Sequence, residues 1–130
     1  MKEKKYSILL VDDDKFLLDM YATKFAEKKF EVTAVFGVAE AVSKIEEGFA
    51  PDIILTDIVM PVTDGFEFLA ILKEKQLAQN AHVIVLSNLG QQEDLDKAKA
   101  LGADGYIVKA TSTPSEVVQK VLEIVEEKQK

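Results

Sequence analysis

Four apolar runs in this chain end on residues that can do chemistry. Ile8-Leu9-Leu10-Val11 runs into Asp12-Asp13, and Ile53-Ile54-Leu55 runs through Thr56 into Asp57. Val83-Ile84-Val85-Leu86 ends at Ser87, and Tyr106-Ile107-Val108 ends at Lys109. If these runs are parallel strands, their carboxyl ends share one edge of a sheet, where open α/β folds place their clefts. Three carboxylates, a hydroxyl and an ammonium then converge. Crowded carboxylates repel and would take up protons at neutral pH unless a cation stands among them. A hard divalent ion such as Mg²⁺ suits such oxygen ligands. Nothing here offers the thiolates or imidazoles of a zinc site, because cysteine is absent and the lone histidine, His82, begins its run at the opposite end. Beside a metal, Asp57 can attack phosphorus as a carboxylate nucleophile. Lys109 can act as a point charge on phosphoryl oxygens, and Ser87 can donate a hydrogen bond to them. Asp57 is therefore read as a phosphate-accepting nucleophile, with the turn through Pro61 and Gly65 following it at once.

The elements that must position these residues follow from periodicity. Apolar runs begin near residues 7, 31, 53, 82 and 105, and the segments between them carry helical spacing. Asp14 is a helix cap rather than a metal ligand, and the first helix turns Phe16, Leu17, Met20, Tyr21 and Phe25 to one side. Glu31 to Phe36 alternates like a strand nearer the sheet edge, and a helix runs from about Val38 to Glu47, stopping at Gly48. A third helix starts around Asp64-Gly65 with Phe66, Leu69 and Leu72 inward, and a fourth spans about Glu93 to Leu101, ending at Gly102. The last begins with Thr113 as cap, Pro114 in first position and Glu116 three residues after the cap. Its inward face is Val117, Val118, Val121, Leu122 and Val125. Alternating strands and helices imply right-handed parallel crossovers, hence an α/β, doubly wound, three-layer α/β/α sandwich with a five-stranded parallel sheet.

Composition narrows the partners. The 130 residues are 48% hydrophobic, enough for one compact domain, and the net charge is -7. Every basic residue is lysine, so the arginine forks and basic face of a nucleic-acid surface are missing, and no direct nucleic-acid contact is expected. The apolar run after the charged N-terminus, Ile8 to Val11, is too short for a signal peptide or membrane insertion, and a cytoplasmic location is expected.

Taken together, Val11-Asp12-Asp13, Thr56-Asp57, the Met60-Pro61 and Asp64-Gly65 pairs, Ser87, and Tyr106 before Lys109 resemble the receiver domain of a two-component response regulator, of the single-domain chemotaxis type. The likeness covers nearly the whole length and implies a flavodoxin-like fold with strand order 2-1-3-4-5. It implies that Asp57 accepts phosphate from the phosphohistidine of a sensor histidine kinase or phosphotransfer protein, becoming 4-aspartylphosphate. Asp13 would ligate Mg²⁺ (or Mn²⁺) directly, Asp12 through water, and Val59 through its backbone carbonyl. Ser87 and Lys109 would hold the phosphoryl oxygens, and Tyr106 would turn inward as the switch aromatic when Ser87 moves. The surface of helix four, strand five and helix five would then change its preference for a downstream protein, as a monomer or a phosphorylation-dependent dimer. The expected organisation is one receiver unit over 1–130, with its core at about 6–127 and no output domain. The chain is expected to be a phosphoacceptor that assists its own labelling rather than an enzyme. A Mg²⁺-dependent phosphohydrolase is the competing reading, disfavoured because Ile58 and Val59 stand where a second acid would be needed. A degenerate receiver that works without phosphate is the third. Two positions depart from the family pattern: Ala110 replaces the usual proline after Lys109, and Asn88 is bulkier than usual. A cis bond before Ala110 would cost roughly 2.5–4 kcal/mol, so either strain or a trans path is expected there. Val59 and Leu89, two residues beyond Asp57 and Ser87, are apolar and cannot orient an attacking water, which predicts slow self-dephosphorylation.

Overall fold

In chain order, β1 (Ser7–Val11), α1 (Lys15–Glu27), β2 (Glu31–Val35), α2 (Val38–Glu46) and β3 (Ile53–Thr56) lead into α3 (Gly65–Glu74) and β4 (His82–Ser87). The chain continues through α4 (Gln92–Ala100), β5 (Gly105–Val108), a 3-10 turn (Lys109–Thr111) and α5 (Pro114–Lys128). This computed structural model describes residues 5–128, so positions 1–4 and 129–130 of the expected receiver unit lie outside the described residues. All strand pairings are parallel, in the order β2-β1-β3-β4-β5, as expected.

The strands alternate their apolar side chains between two cores. Ile8, Leu10, Ile53, Leu55, Ile84 and Leu86 face α1 and α5. Leu9, Val11, Ile54 and Val85 face the opposite layer, with Val38, Ala41, Phe68, Leu69 and Ala98 of α2, α3 and α4. A sheet covered on both faces needs continuously apolar strands, and every residue of β3 is buried. β2 lies at the sheet edge, and only Val35 of its five residues is fully buried. The two largest wholly buried side chains, Phe25 and Phe68, anchor one core each. Each contributes about 1.5–3 kcal/mol through burial.

Two helix faces differ from expectation. In α1 the buried stripe is Leu18, Tyr21 and Phe25, while Phe16 is 85% and Met20 49% exposed. Helical spacing accommodates either stripe, and packing against α5 and β2 selected the second. In α3 the inward aromatic is Phe68 rather than Phe66, which is only half-buried. In α5, Val117, Val118, Val121 and Val125 are buried and Leu122 is partly so.

The local signals at the helix ends do hold. Asp14 accepts hydrogen bonds from the Phe16 and Leu17 amides, both at 3.1 Å. Thr113 and Glu116 form a reciprocal box, with Thr113 N–H donating to Glu116 at 2.8 Å and Glu116 N–H to Thr113 at 3.2 Å. Gly48 and Gly102, past the ends of α2 and α4, take positive φ of 114° and 101°, a region costly for residues with a Cβ.

Candidate functional site

Register brings the two acidic strand ends together. Val11 of β1 is paired with Thr56 of β3, so the next residues, Asp12 and Asp57, leave the sheet side by side. The Asp57 amide donates to the Val11 carbonyl at 2.9 Å, and Thr56 Oγ1 donates to the Asp57 carbonyl at 2.9 Å, which pins the turn. The Gly65 amide donates to the Ile58 carbonyl at 2.8 Å and closes the loop back onto the site. A side chain at Gly65 would collide with the Asp57 carbonyl oxygen and lie 2.8 Å from Ile58 Cα, so the loop needs a residue without Cβ there.

Lys109, at the end of β5, reaches across this pair. Its Nζ is 2.7 Å from Asp12 Oδ2 and 2.8 Å from Asp57 Oδ2. The three side chains are 8%, 5% and 9% exposed respectively, so these are buried ion pairs. Burial works to lower the Lys109 pKa, but the hydrogen bonds to Asp12 and Asp57 outweigh it and hold the ammonium above the ordinary lysine range. Burial raises Asp12 above the ordinary carboxylate range. Lys109 and the Asp14 amide oppose that rise, and the Asp57 charge adds to it. The remaining oxygens are also engaged: Asp12 Oδ1 accepts from Asp14 N–H at 2.9 Å, and Asp57 Oδ1 from Ile58 N–H at 2.7 Å. That Ile58 amide was not recognisable in the sequence, because a backbone donor carries no residue signature.

Asp13 is the exposed member of the group. One carboxylate oxygen from each of Asp12, Asp13 and Asp57 lies within 4.8 Å of the others, an arrangement able to hold a metal ion. Among the described hydrogen bonds none ends on the Asp13 carboxylate or the Val59 carbonyl. Oxygen donors without competing partners, and no nitrogen or sulfur donor among them, fit a hard divalent cation.

Ser87 is wholly buried at the end of β4, on the same edge. Its Oγ accepts from the Leu89 amide at 3.3 Å, and no described hydrogen bond joins it to Asp57 or Lys109. The Tyr106 hydroxyl donates to the Leu89 carbonyl at 2.6 Å, so its half-buried ring is tied to the β4–α4 loop. Burial raises the Tyr106 phenol, Asp94 adds to the rise, and the nearby Ser87 hydroxyl opposes it. His82 starts β4 at the far edge, where its amide donates to the Asp52 carbonyl at 2.9 Å. The described residues contain no cis peptide bond. Ala110 follows Lys109 in trans within the 3-10 turn, and the lysine still reaches both carboxylates.

An acidic pair bridged by lysine thus stands at the carboxyl edge of a doubly wound sheet. Residues 8–122 match the model of the response regulator receiver domain, and the chain belongs to that family, whose members act in phosphorelay signalling. It is 41% identical over 110 residues to the chemotaxis protein CheY of Halobacterium salinarum, covering 83% of this chain and 88% of that protein. Against the phosphate regulon regulatory protein PhoB of Escherichia coli it is 30% identical, covering 88% of this chain but 49% of that protein. Among solved structures, the CheY-like receiver domain protein of Methanospirillum hungatei superposes with a TM-score of 0.84 at 27% identity, covering 97% of this chain and 98% of that one. No helix among the described residues is long and apolar enough to cross a membrane.

Proposed function

We propose that Asp57 accepts a phosphoryl group from a phosphohistidine of a sensor kinase or phosphotransfer protein, in a Mg²⁺- or Mn²⁺-dependent step. The observation that carries this reading is the buried Lys109 ammonium shared between Asp12 and Asp57 at 2.7 and 2.8 Å. The ammonium that bridges the two carboxylates is placed to follow negative charge onto an arriving phosphoryl group. An Asp57 oxygen forms the new bond to phosphorus as the bond from phosphorus to the imidazole nitrogen breaks, and the imidazole keeps that electron pair. Asp12, Asp13, Asp57 and the Val59 carbonyl would hold the cation, which neutralises phosphoryl charge when bound. No described hydrogen bond ends on the Asp13 carboxylate, which supports Asp13 as a direct ligand, with Asp12 reaching the cation through water. Ser87 and Lys109 take the phosphoryl oxygens. Movement of Ser87 pulls on the Leu89 amide, and Leu89 also carries Tyr106, so the phosphoryl group acts on α4, β5 and α5 through that loop.

A surface around the site supports a protein donor. The exposed large hydrophobics Phe16, Met20, Phe36, Val59 and Val62 all follow the carboxyl ends of β1, β2 and β3. Phe16, Met20 and Pro114 line a groove of about 350 Å³ beside the start of α5. Val62 is β-branched at φ 70°, within the three-residue turn closed by Thr63 N–H on the Pro61 carbonyl at 2.8 Å. A β-branched residue in that region is strained, and such strain gathers at working sites. The partner reading is therefore a phosphohistidine-bearing helical protein in the cytoplasm, followed by a downstream protein at the α4, β5 and α5 face.

The test is incubation with Mg²⁺ and acetyl phosphate, followed by intact mass. One labile adduct, absent from Asp57→Asn, supports the switch. Steady acetyl phosphate consumption without an adduct indicates a phosphohydrolase, and no reaction indicates a receiver that works without phosphate.

A further inference from the structure

Tyr21 lies under the site and has no assigned part in it. Its side chain, on the inner stripe of α1, is 4% exposed and packs in the core that also holds Leu10, Leu18, Leu55 and Leu86. A small cavity of about 10 Å³ separates it from the reacting groups, with Asp12, Asp57 and Tyr21 among its walls and Leu18, Leu55 and Leu86 closing it. That space is about one water, and a buried water needs two to four polar partners. The two carboxylates and the phenol supply three. Among the described residues no carbonyl or side chain accepts a hydrogen bond from the Tyr21 hydroxyl. Among the described residues no fully buried side-chain nitrogen or oxygen lacks a partner, so this hydroxyl reaches accessible space, where a water can meet it. Burial also keeps the phenol protonated, raising it above its usual value, and the charges of Lys109, Asp12 and Asp57 reach it. It is therefore a donor at neutral pH, on the wall of a cavity that Asp12 and Asp57 also line.

We propose that Tyr21 is a positioning residue for phosphoryl acceptance, its hydroxyl donating through a single ordered water to the Asp12 and Asp57 carboxylates. Lys109 holds the same two carboxylates from β5, so the pair is fixed by an ammonium and by a water-backed phenol. When Lys109 moves to the phosphoryl oxygens, the phenol contact is the one that stays. The proposal deepens the reading of Asp57 as acceptor and rests on it for its kinetic consequence.

Tyr21→Phe removes one oxygen and keeps the ring. Its phosphorylation rate by acetyl phosphate at saturating Mg²⁺ is expected to fall about three- to ten-fold, the loss of one hydrogen bond to a neutral water. Phe25→Leu, a wholly buried change on the same helix with no part in the site, serves as control and is expected to lower the unfolding midpoint while keeping the wild-type rate. Side-chain carboxyl ¹³C spectra of the metal-free protein supply a readout independent of phosphorylation. The Asp12 and Asp57 signals are expected to shift in Tyr21→Phe and to stay in place in Phe25→Leu. Unmoved carboxyl signals in Tyr21→Phe, or equal rate losses in both variants, would overturn the positioning role. If the wild-type protein takes no label, the acceptor reading fails, and the carboxyl spectra still decide the Tyr21 contact.

Discussion

Gly65→Ala is the sharpest probe of how the fold aims Asp57. An added Cβ would collide with the Asp57 carbonyl oxygen and sit 2.8 Å from Ile58 Cα and 3.0 Å from the Asp57 carbonyl carbon. Ordinary contact begins at 3.4 Å, so reaching it requires Ile58 Cα to retreat by 0.6 Å (3.4 minus 2.8), and the carbonyl oxygen by more. These are backbone atoms flanking the acceptor, and no rotamer change relieves them. The Gly65–Ile58 hydrogen bond that closes the loop stretches or breaks with the move. Overpacking of this kind costs about 1–3 kcal/mol. For a chain of this size, 2 kcal/mol corresponds to a fall in Tm of roughly 6–10 °C. A misplacement approaching 1 Å in a reacting group costs about 100-fold in rate. The variant is expected to fold, melt earlier, and accept phosphate from acetyl phosphate about 10- to 100-fold more slowly, measured by intact mass against time. Gly37→Ala is the control, since nothing lies within 4 Å of a Cβ built there. A Gly65→Ala protein with wild-type Tm and labelling rate would refute this account of the loop.

Three further perturbations have definite outcomes. Lys109→Met leaves the Asp12 and Asp57 carboxylates facing each other without their ammonium. The urea midpoint should fall by the equivalent of about 1–3 kcal/mol, less than a fully stranded charge costs because the pair can take up a proton. Added Mg²⁺ should restore part of the loss, and an unchanged midpoint counts against a structural role for the bridge. Val59→Asn combined with Leu89→Glu places polar side chains beside the path to Asp57, and the phosphorylated lifetime should shorten several-fold; an equal lifetime defeats the idea that these two positions set it. Tyr21 and Tyr106 start from an ordinary value of 10.0 and Lys109 from 10.5, and all three are raised in the folded protein. Over that range the folded chain holds more protons than the unfolded one. The contribution is therefore full below about pH 10 and lost as pH rises through the folded values. Thermal melts across alkaline pH should show stability falling in that window, and a rise there would contradict the sign.

How much could be read before folding differs from residue to residue. Asp14 and Thr113 as caps, and Gly48 and Gly102 as helix stops, are local decisions, since each involves groups within a few residues. The chemical set at the strand ends was equally legible, because an apolar run followed by an acid, a hydroxyl or an amine needs only the chain's own order. Alternating strands and helices then force the parallel sheet that gathers those ends at one edge.

Phase and distance were left to the tertiary structure. The spacing in α1 is compatible with Phe16 and Met20 or with Leu18 inward, and only packing against α5 and β2 decides between them. The same ambiguity exchanged Phe66 for Phe68. Lys109 bonds Asp12 and Asp57 across 97 and 52 positions of sequence, and no local pattern specifies that one ammonium is shared by both. Ala110 gave no hint of whether its loop would strain, and the 3-10 turn shows a trans path with the lysine's reach intact. Tyr21 read as one more core aromatic until the sheet placed Asp12 and Asp57 above it. Residue types determined which chemistry was available; long-range packing, which alone sets distances and burial, decided which groups meet.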